Sequence, residues 1–73
     1  MGEIMNHETI VMRELKRNRK GITQLDMIRY GILRLGARIW DLRHKGIEIN
    51  TIPEESTNQY GHKVRFARYR LVR

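Results

Sequence analysis

Arg34 and Arg38 stand four residues apart, one helical turn, in a segment that also carries Arg43, His44 and Lys45. A guanidinium can donate two parallel hydrogen bonds, either to a phosphate or to the edge of a guanine, so this spacing suits a polyanion. Further along, Lys63 and Arg65 offer donors of the kind that meet phosphate oxygens or probe a minor groove. Other chemistries lack their residues. There is no cysteine, hence no disulfide framework and no thiolate zinc site. His7, His44 and His62 are far apart and do not have the spacing of metal ligands. No phosphate-cradling glycine loop, nucleophile motif or carboxylate pair set for a cleft is present, so the chain reads as a non-enzyme without cofactor or metal.

Charge supports the same direction. Fifteen Lys/Arg against eight Asp/Glu give a formal charge of +7 on 73 residues, which favours DNA, RNA or an anionic membrane as partner. The excess is unevenly placed: RELKRNRK at 13–20 and GHKVRFARYRLVR at 61–73 are basic, whereas Glu54 and Glu55 lie between them. No run of about 18 apolar residues exists to span a membrane. The start, MGEIMNHE, lacks the basic-then-apolar order of a secretory leader, and the absence of cysteine fits a reducing cytoplasm. At this length one domain is expected, burying only about 60% of its unfolded surface.

The elements that must position these cations follow from periodicity. A first helix is expected over about Asn6 to Arg19, with Asn6 as N-cap, Ile10, Val11, Glu14 and Leu15 at helical spacing, and Gly21 as the stop. A short second helix begins at Thr23, where Thr23 and Asp26 approximate a capping box; Leu25, Ile28 and Met27 offer its buried face, and Gly31 ends it. The third helix runs from about 33 to 45 with Gly46 beyond it, and Leu35, Ile39 and Leu42 form its core stripe. At about 100° per residue, Arg34, Ala37, Asp41 and His44 point away from that stripe, with Arg38 and Lys45 on one flank and Arg43 on the other. Ile47 to Ile52 alternates as a strand, 53–62 reads as a long polar loop, and Lys63 to Val72 reads as a second strand with Ala67, Tyr69 and Leu71 on one face. The fold class expected is therefore mainly α with a β-hairpin: three helices followed by a two-stranded wing.

The tight connection around Gly31 is that of a helix-turn-helix, whose second helix enters the major groove. The run RLGARIWDLRHKGIEI at 34–49 with VRFARYRLV at 64–72 resembles the small winged helix-turn-helix domains common in bacteriophage genomes, over roughly residues 8–72. That resemblance implies a DNA-binding role, often regulatory, without naming an operator. Double-stranded DNA is then the expected partner, in the cytoplasm of a bacterial host cell. The candidate DNA-binding residues are Arg34, Arg38, Arg43, His44, Lys45, Lys63 and Arg65, with the wing at 53–65 on the backbone or in the minor groove.

Competing readings stand beside these. Arg38 can pair with Asp41 at i+3 instead of with DNA, and Arg43 can cap the hairpin instead of touching phosphate. Trp40, just off the core stripe, is expected to pack under the wing rather than to stack on a base. Phe66 on the outer strand face would suit a dimer or partner contact. A homodimer on DNA is compatible with the pattern. So is a different class of function, a winged-helix module that binds a host or phage protein, because fold alone does not settle function.

Overall fold

The computed structural model describes residues 6–73. The reading of MGEIM as no secretory leader concerns residues outside these. The first helix, α1, spans His7–Arg17. Asn6 Oδ1 accepts from the Thr9 amide at 2.8 Å and from its hydroxyl at 2.9 Å, so the expected N-cap is in place. The helix stops two residues earlier than its basic run suggested. Asn18 donates to the Glu14 carbonyl from both its backbone and its side chain (2.8 Å), closing the last turn before Arg19.

An element that periodicity missed comes next: β1, Ile22–Thr23, two buried residues that pair antiparallel with a later strand. Gly21 delivers the chain to it. Its φ is +100°, and a Cβ there would lie 2.5 Å from the Tyr69 carbonyl oxygen, so both the turn and the close approach require glycine.

The second helix, α2, spans Gln24–Ile28 behind the expected capping box: the Asp26 amide donates to Thr23 Oγ1 (3.3 Å) and the Thr23 amide to Asp26 Oδ2 (2.9 Å). Its buried face differs from the expectation. Met27 is fully buried, whereas Leu25 and Ile28 are exposed at 79% and 48%. A helix this short turns one side chain squarely into the core, and Ile32 of the following turn fills the neighbouring space.

The third helix, α3, spans Leu35–His44, inside the 33–45 expected. Leu35, Ile39 and Leu42 are its buried residues, as the stripe required, and Gly46 at φ +93° follows the C-cap. Arg34 at the N-cap makes no capping bond with its own side chain. Gln24 supplies it instead: Oε1 accepts from the Leu35 amide at 2.7 Å while Nε2 donates to the Ile32 carbonyl at 2.6 Å. One side chain of α2 thus fixes where α3 begins.

The hairpin corrects the expected strand limits. β2 runs Ile49–Thr57 and β3 runs Lys63–Leu71, so the first half of the presumed loop at 53–62 is strand and the turn is confined to 58–62. Asn58 Oδ1 holds that turn by accepting from the amides of Tyr60 (2.9 Å) and His62 (3.0 Å). Pro53 lies within β2, which is an edge strand, where proline is tolerated. The sheet order is β1-β3-β2, so the wing makes two of the strands of a three-stranded antiparallel sheet rather than a separate two-stranded ribbon.

The core joins Val11 and Leu15 of α1, Ile22 of β1, Met27 of α2, Ile32, the stripe of α3 and Ile49 of β2, with Tyr69 and Leu71 packed against it. Side chains alternate across a strand. Ala67, Tyr69 and Leu71 therefore take the helix side of β3, as expected, and Phe66, Arg68 and Arg70 take the other.

Candidate nucleic-acid interface

Three of the seven candidate residues come together on the outer side of α3. Arg34 is exposed at its start and has no ion pair or side-chain hydrogen bond among the described residues. It lines a shallow depression of about 510 Å³ with Gly36, Ala37, Trp40 and Asp41. Arg38 Nη2 lies 3.3 Å from Asp41 Oδ2, the i+3 pair that competed with a DNA role. Both side chains keep about a third of their surface exposed, so the pair contributes only ~0.2–0.5 kcal/mol and leaves guanidinium donors open.

His44 closes this surface. Its ring stacks on Trp40 with centroids 3.5 Å apart and planes at 28°, and its Nδ1–H donates to the Trp40 carbonyl at 2.9 Å. Trp40 does not pack under the wing; it is 59% exposed. The reason lies on the flank of α3 that faces the hairpin, which Arg43 occupies. Arg43 Nε and Nη2 both donate to the Ile49 carbonyl (3.1 and 2.6 Å), and Nη2 also reaches Thr51 Oγ1 at 2.8 Å. The guanidinium thus fastens α3 to β2.

On the opposite flank Lys45 Nζ meets Glu8 Oε2 at 2.8 Å, tying the end of α3 to the start of α1. Arg43 and Lys45 brace α3 from two sides, and Gln24 sets its start. The signal for Gln24 was faint, a polar residue just after a capping threonine, and nothing in its spacing pointed to α3.

Lys63 and Arg65 lie apart from these, at the distal end of β3 next to the turn. Lys63 has no ion pair among the described residues. Arg65 Nε binds Glu55 Oε1 at 3.0 Å across the strands, with the arginine side chain 87% exposed. An exposed pair of this kind adds little stability and can yield to a phosphate. Among the described residues no helix is long and apolar enough to cross a membrane.

The arrangement is a braced helix that presents arginines and a stacked aromatic pair, beside a hairpin whose end carries cations. Comparison with known proteins bears on it directly. No curated protein and no solved structure gives a significant match. A family model described as "Winged helix-turn-helix domain" does match, over residues 8–73. With α1 from Glu8 onward, β1, α2, α3 and the β2–β3 wing inside that match, the chain belongs to the winged helix-turn-helix domain family.

Proposed function

We propose that this protein binds double-stranded DNA, with α3 in the major groove and the end of the wing on the phosphate backbone or in the adjoining minor groove. The observation that carries this reading is the exposed Arg34, without an ion pair among the described residues, beside Arg38 on a helix braced by Gln24, Arg43 and Lys45. A base edge is read by donors held in place, and the bracing supplies that. Of the seven candidates, Arg34, Arg38 and His44 face the groove, and Lys63 and Arg65 meet phosphates. Arg43 and Lys45 act by positioning the helix.

The role that fits is a transcriptional regulator or an architectural accessory factor, encoded by a phage or another mobile element and acting in the bacterial cytoplasm. Selection from random duplexes at ~150 mM salt tests it. An enriched motif is the expected result. Salt-labile binding without a motif would leave an architectural role, and no binding would shift the assignment to a protein partner meeting the exposed Trp40 and Phe66.

A further inference from the structure

A second basic surface lies away from α3. Arg17, Arg19, Lys20, Arg29 and Arg68 line a cleft of about 740 Å³ between the end of α1, the turn before β1, α2 and β3. Arg19 also lines the adjoining groove, which adds Arg70 and Arg73. The carboxylates lining the cleft already have internal donors. Glu14 accepts from Arg17 (3.4 Å) and from the Tyr30 hydroxyl (3.3 Å), and Asp26 accepts from the Thr23 amide. Arg68 is held by Glu54 (2.9 Å) and Arg73 by the Leu15 and Lys16 carbonyls. Among the described residues, Arg19, Lys20 and Arg70 have no ion pair.

This surface and the outer side of α3 face different ways. Arg68 and Arg70 project from the side of β3 opposite Tyr69 and Leu71, which pack on the core that the helices share. The two depressions have no residue in common. A duplex seated on the outer side of α3 therefore leaves Arg19, Lys20 and Arg70 unoccupied.

We propose that this reverse surface holds the phosphate backbone of a second DNA segment, so that one domain bridges two duplexes. The proposal rests on the DNA-binding reading above. The donors are guanidinium and ammonium groups around an open cleft, a pattern that positions phosphates without reading bases. The one exposed aromatic that lines the cleft among the described residues, Tyr30, has its hydroxyl bonded to Glu14, and a DNA-bound protein meets further duplex at high local concentration.

The test compares the wild type with a triple variant, Arg19→Gln, Lys20→Gln and Arg70→Gln. An immobilised duplex captures the protein, and retention of a second, fluorescent duplex measures bridging. Circular dichroism of the variant checks that these exposed substitutions leave the fold intact. The variant is expected to lose bridging by roughly 10-fold or more while its affinity for a single duplex changes less than about 3-fold, since its phosphate contacts there are untouched.

Bridging that survives in the variant would assign it to self-association and overturn the proposal. So would equal loss of single-duplex binding, which would make the surface part of the first site. Wild type that binds one duplex and never two refutes bridging alone. Wild type that binds no duplex refutes the DNA-binding reading as well. Binding of anionic vesicles or acidic peptides without bridging would give the surface to a different partner.

Discussion

The two basic surfaces differ in how their charge is held. On α3, Arg38 faces Asp41, Lys45 faces Glu8 and Arg43 is bonded into β2, so that Arg34 is left without a side-chain partner among the described residues. On the second surface, Arg19 and Lys20 in the turn before β1 and Arg70 of β3 stand without ion pairs among the described residues. Internal partners reduce the field a helix projects, but they fix its donors. Reading a base edge needs placement, whereas holding a backbone needs net charge and tolerates mobility. The contrast separates a surface built to discriminate from one built to attract.

The largest effect is expected at Gly21, where the turn after α1 meets β3. Gly21→Ala places a Cβ against the Tyr69 carbonyl in a left-handed conformation, and should cost roughly 3 kcal/mol or more, read as a lowered urea midpoint. A midpoint equal to wild type would show that β1 and β3 can separate there freely, and the two surfaces would then move independently.

Next comes Arg34→Ala. It is expected to weaken a selected duplex by about 1–3 kcal/mol and a random duplex much less. Equal losses would make Arg34 a phosphate contact, and the two surfaces would then differ only in charge.

Gln24→Ala follows, removing the cap of α3 and the bond to Ile32. A loss of about 1–2 kcal/mol is expected, seen as a lower melting temperature, and Gln24→Glu should recover part of it by keeping the acceptor for Leu35. No recovery would mean that the Ile32 bond is the one that matters.

Trp40→Ala should change stability least, within about 0.5 kcal/mol, because the ring is exposed, while DNA affinity falls. A loss of the size seen for buried aromatics, about 3–5 kcal/mol, would return Trp40 to a packing role.

Much of the fold was legible where local chemistry decides the outcome. Asn6, the Thr23–Asp26 box, Leu35, Ile39 and Leu42, and the glycines at 21 and 46 each act within a turn or two of chain. What stayed hidden depends on distant neighbours. β1 is two residues long, too short for any period, and exists because β3 pairs with it. Pro53 reads as a breaker until its strand is known to lie at an edge. Leu25 and Ile28 look like core in a helix of unknown length.

In the candidate site, the outward direction of Arg34 and His44 followed from helical angle alone, which put Arg38 on a flank. The exposure of Trp40 did not, since it turns on Arg43 reaching across to Ile49. Gln24 was invisible for the same reason, its partner lying 11 residues away.

The central position of β3 also bears on how the molecule assembles. Arg68 reaches the Gly21 carbonyl across 47 residues and Arg73 reaches the Leu15 carbonyl across 58. Closing loops of that size must precede any gain from the contacts they make, so chains with such connectivity fold more slowly than helical bundles of equal size. α1 and α2 have their own N-caps and α3 takes its cap from Gln24, yet all three share a core that Tyr69 and Leu71 complete. Folding is thus expected to be a single concerted step, with α3 locked into its working orientation only when β3 docks.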